Sequence, residues 1–310
     1  MGVPIRHLRH QGRVLAAMGR TAALGLTSRL RGRAEASPPT PTPALSGVLP
    51  CLAADLITDA VHWAGGDPSR WGDQLPFWLH PQWGFPLLIR TLEGLPYPLS
   101  RALNAGCRVT VNAPLPTDQP LHVRVWLDQI DDDGRRAILH QKLITGTEDT
   151  PDALVVDFQV LVPLPKPKGQ DGAKKKKKEK PTVPEDVREI ARWTNSTRAG
   201  LEFALLTGDF NPIHWIPPAA RLSGFKNTIL HGFGTMARAT ERLITEELNG
   251  DPSRLTEIGV RFTRPVVLPA EVGLFVDDDG GLYVGDAPGG PAYLVGDYGV
   301  RDDAGESEDE

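Results

Sequence analysis

Between Thr207 and Trp215 the chain reads TGDFNPIHW, and from Ile229 to Ala237 it reads ILHGFGTMA. The first stretch places a carboxylate (Asp209), an amide (Asn211) and an imidazole (His214) on one short turn. Asn before Pro212 suits the opening of a helical turn, with Asn as N-cap and Pro at the first helical position. Asp209, just ahead of that turn, and His214, inside it, can then project toward one place. Such a pair can hold one water, the carboxylate accepting a proton while the imidazole donates or accepts, and histidine changes protonation near neutral pH. Taken alone, such a turn is more often capping chemistry than catalysis. The pair His231-Gly232 taken alone is a tight helix start, with Gly232 and Gly234 letting the helix lie close to a sheet.

These residues need elements to hold them. TILHGFGTMARATERLITEEL reads as a helix of several turns, with Leu230, Phe233, Ala237, Thr240 and Ile244 forming an apolar stripe. EIGVRFTRPVVL, EVGLFVDDDGGLYVG and AYLVGDYGVR then read as strands separated by Pro- and Gly-containing turns. The first half repeats the pattern. A loop- and helix-like region over 52–103 precedes LHVRVWLDQI, which alternates Val123, Val125 and Leu127 against His122, Arg124 and Trp126. DDDG marks a hairpin into RRAILHQKLITG, and ALVVDFQVLV adds another strand. A helix followed by an antiparallel meander, occurring twice, predicts two related α+β units packed together.

Composition sets the outer limits. A net charge of −5 over 310 residues argues against general nucleic-acid binding. Cys51 and Cys107 have no partners at metal-ligand spacing, which fits a reducing compartment. No run of about twenty apolar residues is present to span a membrane. Residues 1–46 carry seven arginines, no lysine and Glu35 as the sole acid, ending in a proline-rich stretch. They read as a basic N-terminal extension that is mobile or lies on the body, with an organelle presequence or a surface amphipathic helix as alternatives. Residues 165–187, with five consecutive lysines, read as a solvated linker, and 304–310 as an acidic tail. Two bodies remain, 47–164 and 188–303.

The run TGDFNPIHWIPPAARLSGFKNTILHGFGTMA, taken whole, resembles the signature of the MaoC-like, R-specific enoyl-CoA hydratase/dehydratase family. GVRFTRPVVLPAEVGLFV resembles the strand that follows the central helix in those proteins. The resemblance implies a tandem (double) hot-dog fold of the α+β class, two antiparallel sheets each wrapping a central helix. It implies a hydro-lyase acting between trans-2-enoyl and (R)-3-hydroxyacyl thioesters in fatty-acid, polyketide or polyhydroxyalkanoate metabolism. Carried over by position, Asp209 and His214 would be the acid/base pair holding the water, and Asn211 would orient them or close the turn. Gly232 would give its N–H to the thioester oxygen, and His231 would fix the loop. No metal or redox cofactor is implied; CoA or the phosphopantetheine of an acyl carrier protein arrives as part of the substrate. The expected partners are the acyl thioester, an acyl carrier protein and a second copy of the chain, and the expected compartment is the cytoplasm. A hot-dog thioesterase and a catalytically silent acyl-binding protein are the rival readings.

The first half lacks an Asp-x-Asn-Pro-x-His turn. Its corresponding region is expected at LPFWLHPQWGFPLLIRTLEG, where His80 has no aspartate five positions earlier. Phe77, Trp78, Trp83 and Phe85 would line an acyl tunnel or be ordinary core aromatics. Lys226, Arg238 and Arg242 could meet CoA phosphates or simply be solvated.

Overall fold

A computed structural model describes residues 2–20, 36–165 and 179–301. The five-lysine run, the acidic tail and residues 21–35 of the expected N-terminal extension lie outside the described residues. In the first half, β1 (Leu45–Leu49) is followed by helices α1 (Ala54–Ala64) and α2 (Pro81–Thr91). Strands β2 (Leu103–Val111), β3 (Leu121–Asp132), β4 (Arg136–Gly146) and β5 (Leu154–Pro163) complete it. The second half repeats the plan. β6 (Arg188–Asn195) leads to α3 (Ala199–Thr207), α4 (Pro217–Leu222) and the long helix α5 (Gly232–Glu247). Then come β7 (Leu255–Phe262), β8 (Ala270–Val276), β9 (Gly281–Gly285) and β10 (Ala292–Val300).

The strand order is β1-β3-β4-β5-β2-β7-β10-β9-β8-β6. Each half read from its outer edge therefore has the same order, first, third, fourth, fifth, second. The α+β class holds, but the two expected sheets are one. β2 and β7, each an edge strand of its own half, pair antiparallel with Cys107 opposite Val260 and Arg108 opposite Gly259. That union satisfies two rows of backbone groups that separate sheets would leave open.

Alternation places the strand faces as the sequence predicts: Val123, Val125 and Leu127 are buried while His122 and Arg124 are exposed. The hairpin at 132–136 is set by Gly134 (φ 73°) and by Asp133 Oδ1, which accepts from the N–H groups of Arg135 and Arg136.

α5 starts at Gly232, so Leu230 precedes it. It is buried beyond a single stripe, because both halves pack on it. From the first half, Trp71 and Trp78 donate their indole N–H groups to Glu241, and the Ala64 carbonyl accepts from Arg242. Arg238 and Arg242 are not simply solvated. Their guanidinium groups lie 4.2 Å from the Trp63 ring centre and 4.3 Å from that of Trp193. Burial draws both pKa values down to about 10, Arg242 and Arg238 repelling one another in the case of Arg238.

Two expected boundaries shift. β1 begins at Leu45, and Thr42 N–H already bonds Leu127 C=O, so the body starts inside the expected extension. At the other linker the chain is not solvated throughout: Val183 is fully buried against Phe275 and Ala292, with its N–H on the Gly290 carbonyl. An apolar side chain with a nearby slot buries itself whatever its charged neighbours suggest.

Candidate active site

The Asp-x-Asn-Pro-x-His turn begins where α3 stops. Gly208 is its C-cap in the left-handed region (φ 82°), a conformation that carries a steric penalty for any residue with a Cβ. Asp209 follows, and its Oδ1 accepts from the Asn211 N–H at 3.2 Å. Asn211 caps the one-turn 3-10 helix Pro212–His214, its Oδ1 accepting from the Ile213 N–H at 3.4 Å. α3 lies directly beneath: a Cβ at Gly200 would overlap the His214 carbonyl, so glycine there permits the contact.

Asp209, His214 and His231 meet. The His214 and His231 rings stack with centroids 3.5 Å apart and planes 23° apart. His214 Nδ1 lies 2.8 Å from the Ile229 carbonyl, which can only accept, so Nδ1 carries the hydrogen and Nε2 is left with its lone pair. His231 Nε2 likewise donates to the Asp209 backbone carbonyl at 2.9 Å, and lies 3.7 Å from Asp209 Oδ2. Burial pushes His214 below its ordinary 6.5, against the opposing pull of the Asp209 charge. Burial, and then the neighbouring His214, push His231 down to about 3. Both shifts favour the neutral rings near pH 7.

The three side chains offer ligand atoms within 4.8 Å of one another, a spacing a cation could use. The tautomers disfavour it. His231 Nε2 spends its hydrogen on a carbonyl, and its Nδ1 is buried without a partner. What remains is the His214 Nε2 lone pair and a carboxylate that is partly open to solvent, which suits a water rather than a closed metal set.

At α5 the Thr235 N–H returns to the His231 carbonyl, while the N–H groups of Gly232, Phe233 and Gly234 have no preceding turn to bond. They form the positive end of a sixteen-residue helix beside the histidine pair. The Phe262 ring closes over Gly232, since a Cβ there would sit 2.7 Å from Cδ2. Phe262, His80, Phe85 and Phe158 all surround Phe233, with ring centres 5.3 to 5.8 Å from it. Of the aromatics considered for an acyl tunnel, Trp78 and Trp83 are core residues whose N–H groups are taken by Glu241 and Thr145, and Phe77 is buried. Phe85 alone reaches the Phe233 cluster.

The first half's counterpart of the turn lies elsewhere than His80. Gly65 caps α1 in the left-handed region (φ 93°), Asp67 Oδ1 accepts from the Ser69 N–H, and Pro68–Arg70 forms a one-turn 3-10 helix before Trp71. The order is that of Gly208, Asn211, Pro212–His214 and Trp215, with one residue fewer between the glycine cap and the Asx-Pro pair. When the Asx-Pro pairs are matched, Arg70 stands where His214 does and Gly65 where Asp209 does, so neither half of the dyad is present. His80 instead caps the start of α2, as His231 caps α5. It is fully buried, with burial holding it at about 4. GGDPSRW beside GDFNPIHW was the signal for this, hidden because no chemistry-bearing residue is shared. The His214–His231 stack has no short-range signature: seventeen residues separate the two rings, and only the fold closes that gap.

A family model described as "MaoC like domain" matches residues 177–280, which contain Asp209, Asn211, His214, His231 and Gly232. Over 268 residues the chain is 28% identical to 3-hydroxyacyl-thioester dehydratase X of Mycobacterium tuberculosis, covering 84% of this chain and 92% of that protein. The crystal structure of HtdX from the same organism superposes with a TM-score of 0.66 at 23% identity, over 83% of this chain and 99% of that one. A further Mycobacterium tuberculosis structure, described as a double hotdog fold, superposes with a TM-score of 0.51 at 15% identity over 84% and 96% of the two chains. The fold is the double hot-dog.

Proposed function

We propose that this chain, a double hot-dog protein whose second half carries a MaoC-like domain, is a hydro-lyase interconverting trans-2-enoyl and (R)-3-hydroxyacyl thioesters. The observation that carries the reading is one of convergence. A carboxylate (Asp209) and an imidazole with a bare Nε2 (His214) lie beside the unbonded N–H groups that begin α5. The relative's printed name, a 3-hydroxyacyl-thioester dehydratase, supports the substrate class.

In the hydration direction Asp209 accepts one hydrogen of a water and His214 Nε2 the other. As the water oxygen bonds C3, His214 takes its proton and charge moves to the thioester oxygen. There the Gly232 N–H and the helix start stabilise it, a contribution of about 3–4 kcal/mol for one such donor. The proton then passes from His214 to C2, so that H and OH have been added and the imidazole is neutral again. Dehydration runs the same steps backwards. Asn211 holds Asp209 through its N–H, and His231 holds the Asp209 carbonyl.

The reading needs no group besides the CoA or carrier-protein phosphopantetheine of the substrate, and it leaves a second copy of the chain as a partner. No described helix is long and apolar enough to cross a membrane. The same reading takes the cytoplasm as the compartment.

The test is hydration of trans-2-enoyl-CoA substrates of increasing length, followed by loss of enoyl absorbance with chiral analysis of the product. Asp209→Asn and His214→Ala should each lower kcat by roughly 10²–10⁴-fold. An (S)-alcohol, or full turnover in either variant, counts against the proposal.

A further inference from the structure

The basic N-terminal segment is not accounted for by the reaction. Ile5–His10 is a 3-10 helix and residues 12–20 are helical. Val3, His7, Gln11, Val14 and Ala17 are buried, at helical spacing, while Arg6, Arg9 and Arg13 face outward. Polar contacts fasten the segment to α1: Arg6 and Arg9 bond Asp55, Arg6 also bonds Asp59, and His7 Nε2 lies 2.6 Å from Asp59 Oδ2. The arginines are more than half exposed, so these pairs add little to its affinity for the body.

Gln11 is the unusual member of the buried face. Its side chain is fully buried, and its amide N–H donates to the Leu205 carbonyl at 2.8 Å across 194 residues of sequence. That carbonyl belongs to the last turn of α3, where backbone acceptors have no helical partner. Gln11 Oε1 and Val14 Cβ lie 3.0 and 2.7 Å from where a Cβ on Gly208 would be. The N-terminal segment thus presses on the glycine that precedes Asp209, while His231 grips the Asp209 carbonyl from the other side.

We propose that Gln11 is a positioning residue for the reaction, bracing the end of α3 so that Asp209 is held against His214 and the water between them. The proposal rests on the hydratase reading for its kinetics and on the geometry for its structure. A misplacement of about 1 Å at reacting groups can change a rate by ~10²-fold, so a brace on the residue before Asp209 has leverage on kcat.

The experiment uses the full chain carrying Gln11→Met, which keeps length and loses the amide, with Val14→Ala as a milder second variant and Arg13→Gln as a surface control. Gln11→Met should lower kcat by about tenfold or more, with KM changed by less than about twofold, and should shift the pH profile of kcat. Val14→Ala should show the same split, smaller, and Arg13→Gln neither effect. Amide hydrogen exchange over residues 204–210 should quicken in Gln11→Met whatever substrate is used. Unchanged exchange overturns the proposal, as does wild-type kcat in a folded Gln11→Met protein, or in Val14→Ala should Gln11→Met not fold. An inactive wild type with altered exchange in the variant counts against the hydratase reading instead, and leaves the brace standing.

Discussion

Replacing Glu241 by glutamine should remove most of one pH-dependent component of stability. Glu241 lies on α5 with 2% of its surface exposed, and its Oε1 accepts from the Trp71 and Trp78 indoles at 3.0 and 2.8 Å. Burial raises its pKa from 4.5 to about 7, the two indole bonds and the nearby Arg242 and Arg70 offsetting only part. Between those two values the folded chain keeps a proton that the unfolded chain has lost, so stability falls as pH rises through that window. At about 1.4 kcal/mol per pH unit, the loss across the window is on the order of 3 kcal/mol. Glutamine keeps an acceptor for both indoles but cannot ionise. Denaturant melts followed by tryptophan fluorescence from pH 5 to 8 would compare the two proteins, other titrating groups cancelling in the difference. The variant should gain on the wild type as pH rises. Parallel curves, or a gain in the opposite sense, would refute the buried-carboxylate account and with it the idea that this residue joins the halves in its protonated form.

The remaining expectations concern the site itself. Gly232→Ala puts a Cβ 2.7 Å from the Phe262 ring, so kcat for hydration should fall by roughly 10²-fold, and adding Phe262→Leu should recover part of it; no recovery would argue against crowding as the cause. Gly208→Ala asks a residue with a Cβ to adopt φ 82° against Val14, so it should lose about 1–2 kcal/mol or more, read as a lower Tm. Because burial lowers the His214 pKa and the reaction uses its neutral form, kcat/KM should fall only when pH drops below 6.5. An acid limb centred above that value would place the essential base elsewhere.

Much of this was legible in the chain. The Asn-Pro cap, the helix after His231-Gly232 and the alternating strands are recorded in neighbours two to four residues apart, where burial of one face fixes residue types directly. The extended run from Thr207 to Ala237 also carried the family resemblance, since its order of polar turn, helix and glycine is local. Other features are not written in any short window. Two edge strands closed into one sheet because β2 and β7 each had an open row of backbone groups, a condition that their own alternation does not express. His214 and His231 stack, and Trp71 and Trp78 reach Glu241, across separations only the packed halves can bring together. Gln11 is the extreme case: a single amide in an arginine-rich segment found an orphan carbonyl at the end of a helix 194 residues away. Local patterning determines which faces are buried, but which buried polar atom meets which unpaired backbone group is decided only once the long-range surfaces are in contact.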